Sequence, residues 1–400
     1  MTDRASVFIT GMGAVTPYGL GVDLFWDKLV AGTDAIRQLT RFPMDNYRVK
    51  VGGQFPGNLD DLVDCPSGDL ATRFVLTASQ EALRSAGLQV PPGRCAVVLG
   101  TNFAQVEQAE KILLARRRGN QPPPEVLDAF HTESAALEIL DRHHLSGTVS
   151  VVSLSCASGN AALGIGLELI RNDDADIVLA GGYDAVTEYA WAGLLALRTM
   201  TDKGIRPFDA NRDGTVFSEG AAVLVLESER SMNARGAKPL AELAGFATNN
   251  NAFHLTAPDK EGSSIARAMR EALADAQVKP EQVDHVNAHA TATKYNDATE
   301  TAAIKEVLGS RAREIPVSGI KSMIGHLCGA ASALEAVAAV KTILTGVVPP
   351  TINYQTPDPA CDLDYVTAGA KPFPVNVAIN NSSGLGGANS MVVLRKVARP

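Results

Sequence analysis

The sequence predicts an α/β protein built from two copies of one β/α unit, fused and sharing a single site. Three observations lead there. The stretch Glu81-Ala82-Leu83, followed by Ala86 and the run A-V-V-L-G at residues 96–100, recurs as Glu271-Ala272-Leu273, followed by Ala276 and V-D-H-V-N-A-H at residues 283–289. A β-branched run at residues 149–154 delivers Cys156 to a segment of Ala, Gly, Leu and Ile that is apolar nearly all round and should lie deep in the core. A second small-residue segment, L-C-G-A-A-S-A-L-E-A, follows His326 as its counterpart. The halves divide as residues 1–240 and 241–400. Ligands of such sheets gather at strand ends, so the copies should share one site.

The chain has 400 residues, 46% hydrophobic and 20% charged, which suits a large core in an ordinary globular protein. A net charge of −8 argues against nucleic acid or a membrane surface as the partner of the chain as a whole. Residues 1–6 are polar, no cleavable apolar region follows, and no apolar run approaches a membrane span, so the expected compartment is the cytoplasm. Cys65, Cys95, Cys156, Cys328 and Cys361 are scattered and odd in number, giving neither a disulfide framework nor a zinc spacing, and no metal is expected.

From Val7, V-F-I-T-G-M-G-A-V-T-P-Y-G reads as a short buried strand and a glycine-rich turn. Gly11, Gly13 and Gly19 do not form G-x-G-x-x-G, and Pro17 would break the helix such a loop opens. The expectation is a turn passing close beneath another strand. Amphipathic helices are expected at residues 23–31 and 70–86, the second stopping at Gly87, with a strand at residues 96–100. Residues 104–145 are polar and helical in pattern, with R-R-R-G-N-Q-P-P-P at residues 116–124 as a solvated helix end and His131, His143 and His144 as surface residues. Strands at residues 177–180 and 219–227 flank the polar loop R-P-F-D-A-N-R-D-G at residues 206–214.

A cysteine at a strand-to-helix turn faces unpaired backbone N–H groups and the positive end of the helix, both of which favour thiolate. Position alone leaves two readings of Cys156 open, a nucleophile or a small buried hydrophobe. Three later constellations bear on the choice. In V-N-A-H-A-T-A-T at residues 286–293, His289 leaves a buried strand with Thr291 and Thr293 alternating after it. In V-S-G-I-K-S-M-I-G-H at residues 317–326, Lys321 and His326 leave another strand ahead of the small-residue helix. A-I-N-N-S-S-G-L-G-G-A-N-S at residues 378–390 is a glycine-rich hairpin able to bring backbone N–H groups close to a ligand. Two histidines at strand ends, with a cysteine at a buried helix start, favour chemistry over three isolated structural roles.

Together, C-A-S-G, N-A-H-x-T-x-T, K-S-M-x-G-H and S-G-L-G-G-A-N resemble the β-ketoacyl-acyl-carrier-protein synthases of the elongating, KAS II-like type, among the thiolase-like condensing enzymes. The resemblance runs from I-T-G-M-G-A-V-T-P at Ile9 through P-P-T-I-N at Pro349 to the last strand near Val393. It implies a thiolase-like five-layered αβαβα fold, a dimer, and a decarboxylative Claisen condensation between an acyl-cysteine and a malonyl group on an acyl carrier protein. At the matching positions Cys156 would attack the acyl thioester, His289 and His326 would hydrogen-bond the malonyl thioester carbonyl, and Lys321 would orient and tune that pair. No cofactor of its own is implied, because the substrates ride on the phosphopantetheine of the carrier.

The chemistry of these residues agrees with the resemblance. A thiolate is the right nucleophile for thioester exchange if the helix start lowers its pKa. Two imidazole N–H donors would stabilise the enolate oxygen, while the backbone N–H groups of Cys156 and Leu385 would hold the oxyanion on the acyl group. Thr291 and Thr293 suit the pantetheine arm. Glu335 could pair with Lys321, since a lone buried ammonium is costly.

Departures from the family pattern matter too. Ala290 stands where glycine is usual and is expected to tighten the floor of the pantetheine tunnel. Ser383 and Leu385 stand where the hairpin usually carries phenylalanines, and a leucine gate over the cysteine would oppose an acyl chain less. N-D-A-T-E-T-A-A at residues 296–303 and the serine before G-L-G-G lean towards the ketosynthase subunit of a type II polyketide or polyene system. Such subunits commonly pair with a chain-length-factor-like homologue that lacks the cysteine, so the expected assembly is a homodimer or that heterodimer. One alternative is the housekeeping fatty-acid elongating synthase. Another, outside catalysis, is a chain-length or scaffold subunit, against which the intact Cys156, His289 and His326 speak.

Overall fold

The computed structural model describes residues 5–89, 93–259 and 261–397; the polar start at residues 1–4 lies outside them. Ten strands carry the fold: β1 (Val7–Thr16), β2 (Cys95–Gly100), β3 (Gly147–Val152), β4 (Ile177–Asp184), β5 (Gly220–Ser228), β6 (Ala241–Asn250), β7 (His285–Asn287), β8 (Val317–Ser318), β9 (Val377–Ser383) and β10 (Ala388–Arg395). The first five lie in the order β3-β2-β4-β5-β1, and the second five in the order β8-β7-β9-β10-β6. Numbered within each set, both orders are third, second, fourth, fifth, first. The pattern of directions repeats as well: β2 runs parallel to β3 and β4, as β7 does to β8 and β9, and the remaining neighbours are antiparallel. A short antiparallel pairing of Phe8 with Glu242 and of Ile9 with Ala241 joins the two sheets.

Each strand feeds two cores, because successive side chains point to opposite faces. On β5, Ala222, Leu224 and Leu226 enter the central core while Ala221, Val223 and Val225 enter an outer one. On β10, Val392 and Leu394 enter the central core while Met391 and Val393 enter the outer core of the second sheet. Two helices fill the space between the sheets, α2 (Ser158–Arg171) after β3 and α4 (Ala331–Thr345) after β8. Both are buried almost throughout, as a helix apolar all round must be. The outer faces are covered by α1 (Leu70–Ser85) on the first sheet and by α3 (Ser263–Asp275) with the helix Asn296–Leu308 on the second. The result is the five-layered αβαβα arrangement.

The expectations for the glycines, for the apolar runs and for one histidine need correction. Gly11 and Gly13 sit inside the ten-residue strand β1 rather than in a turn, and the element they pass beneath is a helix. A methyl on Gly11 would stand 2.7 Å from Cβ of Ala86 and 2.8 Å from its nitrogen, so the missing side chain lets α1 pack directly on the strand. Gly245 on β6 repeats this against Ala272 of α3 and the helix's C-cap Ala276, at 2.6 and 2.5 Å. One apolar run does reach membrane length, residues 328–345, but 83% of it is buried as the central helix α4 and its lead-in turn. His143 is half-buried, its ring nitrogen 3.3 Å from the Ser79 hydroxyl, whereas His131 and His144 are exposed. The arginines at 116–118 do lie at a solvated helix end, that of Val106–Arg117.

Candidate active site

Cys156 lies between β3 and α2, at the end of a sharp elbow. Ser155 just before it has φ of 51°, a left-handed conformation costing a β-carbon-bearing residue on the order of 1 kcal/mol. The elbow is held from the other half of the chain. Ser155 Oγ donates to the carbonyl of Leu385 at 3.0 Å, and Ser382 Oγ donates to the carbonyl of Cys156 at 3.0 Å. Gly384 permits this: a methyl there would stand 2.8 Å from Cβ of Ser155 and 3.2 Å from the nitrogen of Cys156. The hairpin therefore lies on the elbow, and the backbone N–H groups of Leu385 and of Cys156 itself point at the sulfur.

These groups do not make the free thiol acidic. Burial pushes it up to about 11, against the opposing pull of the Lys321 charge and the two backbone N–H groups. The expectation that the helix start yields thiolate near neutral pH is thus corrected: at this buried position desolvation outweighs the helix end.

His289 follows the end of β7, and its main chain is fixed by a buried carboxylate. Glu300 accepts from the N–H of His289 at 2.6 Å and of Ala290 at 3.0 Å, and burial pushes its own carboxyl up to about 7. Asp297, one turn earlier on the same helix, accepts from the N–H of Ala292 at 3.1 Å and of Phe208 at 2.7 Å. Ala290 and Ala292 have φ of 46° and 60°, and the alternate residues His289, Thr291 and Thr293 line the cavity. Ala290 does not line it; its methyl faces Gly319, so this residue tightens the packing behind the loop and not a tunnel floor.

The protonation of the two rings follows from their neighbours. Nδ1 of His289 is 3.3 Å from the Lys321 ammonium and 3.3 Å from Ser382 Oγ. Nδ1 of His326 is 3.1 Å from the backbone N–H of Cys328. An ammonium and an amide N–H can only donate, so Nδ1 accepts in both rings and the proton of each neutral imidazole sits on Nε2. Burial, with the Lys321 charge, holds both histidines well below their ordinary pKa and hence neutral. Nε2 of His326 is buried and has no hydrogen-bond partner among the described residues. Lys321 is itself ion-paired with Glu335, both fully buried.

Cys156 Sγ and one ring nitrogen of each histidine all lie within 4.8 Å of one another. The rings cross edge to face with centroids 5.6 Å apart. Three such atoms are near enough to grip a metal ion, but a metal-bound histidine keeps its proton on the opposite nitrogen, where here a donor already points. The cluster is built to donate hydrogen bonds. It stands at the base of a cavity of about 470 Å³ whose lining includes Thr291, Thr293, Ser383 and Leu385, with Arg198, Lys294 and Tyr295 also on its wall. The hydroxyls of Thr291 and Thr293 lie 3.1 Å apart, and Ser383 Oγ is turned to Asn389 at 2.8 Å.

All nine residues named from the sequence thus meet at one place, with Lys321 and Glu335 behind the cavity wall. Sequence reasoning missed Ser382, Glu300 and Asp297. The last two carried a signal, carboxylates one turn apart in a helix otherwise rich in small residues; Ser382 carried none.

Comparison with known proteins agrees with this geometry. Residues 4–231 match the beta-ketoacyl synthase N-terminal domain and residues 240–355 the beta-ketoacyl synthase C-terminal domain. The chain is 38% identical over 420 residues to the tetracenomycin polyketide synthase ketoacyl synthase alpha subunit of Streptomyces glaucescens, covering 98% of this chain and 97% of that one. It is 35% identical over 410 residues to 3-oxoacyl-[acyl-carrier-protein] synthase 2 of Synechocystis sp., covering 98% and 99%. Among solved structures, the ishigamide ketosynthase/chain length factor superposes with a TM-score of 0.93 at 34% identity, covering 99% of this chain and 100% of that one. A type II PKS acyl-carrier protein in complex with its ketosynthase bound to the hexaketide gives 0.91 at 35%, with the same coverage. With two domain models spanning most of its length and relatives matched end to end, this chain belongs to the β-ketoacyl synthases, the acyltransferases that form carbon–carbon bonds on the thiolase-like fold.

Proposed function

We propose that this β-ketoacyl synthase is the ketosynthase of a type II polyketide or polyene pathway, joining an acyl group on Cys156 to malonyl carried by an acyl carrier protein. The observation that carries the mechanism is one sulfur and two neutral imidazoles, all buried, within 4.8 Å of one another on the wall of one cavity.

In the first half-reaction the Cys156 sulfur attacks the acyl thioester, the bond to the pantetheine sulfur breaks, and the cysteine proton ends on the departing thiol. The N–H groups of Cys156 and Leu385 hold the oxyanion. In the second, the malonyl carboxylate leaves as carbon dioxide and its electron pair forms an enolate, whose oxygen accepts from Nε2–H of His289 and His326. The enolate carbon attacks the acyl carbonyl, and the Cys156 sulfur leaves. Lys321 fixes the His289 tautomer, Glu335 balances Lys321, Thr291 and Thr293 bond the pantetheine arm, and Ser383 supports the hairpin through Asn389. Residues 1–240 supply the nucleophile and residues 241–400 the two donors. The enzyme carries no cofactor of its own and works in the cytoplasm.

Two features support an assembly with a second subunit of the same fold, identical or of the chain-length-factor kind. Strand β3 ends the first sheet with its outer edge unpaired among the described residues. Its sequence G-T-V-S-V-V has no charge or proline to guard that edge. The helices before it and the loop between them expose Leu113, Leu114, Leu127, Phe130 and Leu137.

The test is intact-mass analysis after mixing the protein with malonyl-carrier and a graded series of acyl-carriers. Extension of saturated acyl chains by the protein alone would instead identify a fatty-acid elongating synthase. Acylation of Cys156 without extension of saturated chains, restored by a co-expressed homologue, is the outcome expected for the polyketide reading. Loading that survives Cys156→Ala would overturn the assignment.

A further inference from the structure

Asp184, at the end of β4, is fully buried and plays no part in the mechanism above. Its carboxylate is crowded with donors from both halves of the chain. Oδ1 accepts from Thr101 Oγ at 2.7 Å and from the N–H of Phe103 at 3.0 Å; Oδ2 accepts from the N–H of Asn102 at 3.0 Å and of Gly329 at 2.6 Å. Three of these donors follow β2 in the first half. The fourth belongs to the turn after His326 in the second.

That turn decides what His326 can do. Cys328, one residue before Gly329, supplies the N–H that occupies Nδ1 of His326 and so leaves the proton on Nε2. Cys328 has φ of 52°, a conformation that its own side chain disfavours and that must be held from outside. The turn also sits tightly on β2 and β4: a methyl on Gly329 would stand 2.6 Å from Cα of Thr101. Asn102, whose N–H shares the same carboxylate, lines the catalytic cavity.

We propose that Asp184 is a positioning residue for His326, clamping the Cys328–Gly329 turn of the second half to the 101–103 loop of the first, so that Nε2–H of His326 is held towards the Cys156 sulfur. The clamp needs an acceptor on both oxygens. In Asp184→Asn one of them becomes an NH₂ group, which meets an N–H donor head-on and releases either Gly329 or the loop. The inference rests on the reading that His326 donates to the malonyl thioester, and the experiment separates the two.

Acyl transfer to Cys156 and decarboxylation of malonyl-carrier protein are measured separately in wild type, Asp184→Asn and His326→Ala. The expected result for Asp184→Asn is decarboxylation reduced by about 10²-fold, the penalty of an ångström-scale misplacement, while acyl transfer changes by less than about fivefold. Histidine-labelled nitrogen NMR should show the Nε2–H tautomer for His326 in wild type and a mixture with Nδ1–H in the variant, a change that loss of packing alone does not produce. If His326→Ala loses decarboxylation while Asp184→Asn retains it and the tautomer, the Asp184 proposal is overturned and the His326 reading stands. If His326→Ala keeps decarboxylation, that reading fails and the proposal falls with it. Should Asp184→Asn not fold, an Nδ1–H tautomer in wild type would still refute the clamp, and Nε2–H would uphold it.

Discussion

The Lys321 ammonium meets Nδ1 of His289 at 3.3 Å while ion-paired to Glu335, with all three side chains buried. One cation thereby sets a ring tautomer and neutralises a buried carboxylate. Lys321→Met should leave Glu335 uncompensated and cost about 3–5 kcal/mol, whereas Lys321→Met with Glu335→Leu should recover most of that loss. Neither variant should decarboxylate malonyl-carrier at more than about a hundredth of the normal rate. Urea denaturation and carbon dioxide release read the two effects independently, and a double variant with normal turnover would refute the tautomer role.

Cys156 should alkylate slowly at neutral pH. Its thiol is pushed up to about 11, so the thiolate fraction at pH 7 is small and rises about tenfold for each unit below that value. Iodoacetamide labelling of the free enzyme, followed by peptide mass at Cys156, should climb log-linearly from pH 7 to 9. A plateau below pH 8 would show an acidic thiol and contradict the burial argument.

Glu300 ties stability to pH in the opposite sense from a surface carboxylate. Its pKa rises on folding from 4.5 to about 7, so its contribution is fully present below pH 4.5 and is lost as pH rises through 7. Wild type should therefore lose stability relative to Glu300→Gln between pH 5 and 8 in parallel denaturation series. Glu300→Ala, which strips the acceptor from the N–H groups of His289 and Ala290, should destabilise by about 2–4 kcal/mol at any pH in that range. Identical pH slopes in wild type and Glu300→Gln would remove the carboxylate from this account.

Ala290 and Gly319 should be energetically coupled. A methyl on Gly319 would stand 2.5 Å from the Ala290 methyl and no closer than 3.5 Å to its next neighbours, the rings of Phe208 and Pro207. Gly319→Ala should thus destabilise the wild type by about 1–3 kcal/mol and be nearly neutral in an Ala290→Gly background. Additive costs in that double-mutant cycle would mean the clash lies elsewhere.

The legible part of this protein is what chain order and punctuation record. Cys156 and His289 could be named because each follows a β-branched or buried run and precedes small residues, the mark of a strand leaving a sheet; Lys321 and His326, expected to leave a strand as well, instead open and follow the helical turn Lys321–Ile324 beyond β8. The duplication was visible in Glu81-Ala82-Leu83 and Glu271-Ala272-Leu273, which lie on the equivalent outer helices α1 and α3. Ser382 was not legible, since its bond to the Cys156 carbonyl spans 226 positions and depends on how two distant turns dock. Asp184 escaped for the same reason. The Cys156 thiol was misread because a helix start is local and visible in sequence, whereas desolvation comes from everything that closes over it. Gly11 was misread because a glycine that admits a helix and one that makes a turn look alike in one dimension.

The repeated strand order has a consequence for synthesis of the chain. The nucleophile lies in the first copy, but the hairpin residues that grip its elbow, Ser382 to Leu385, join the last two strands, and β10 pairs inside the second sheet between β9 and β6. On the ribosome, Cys156 emerges more than two hundred residues ahead of them. A nascent chain halted before β9 has its cysteine elbow ungripped and lacks the Leu385 N–H as the second oxyanion donor, and catalytic competence arrives in one step when the final hairpin docks.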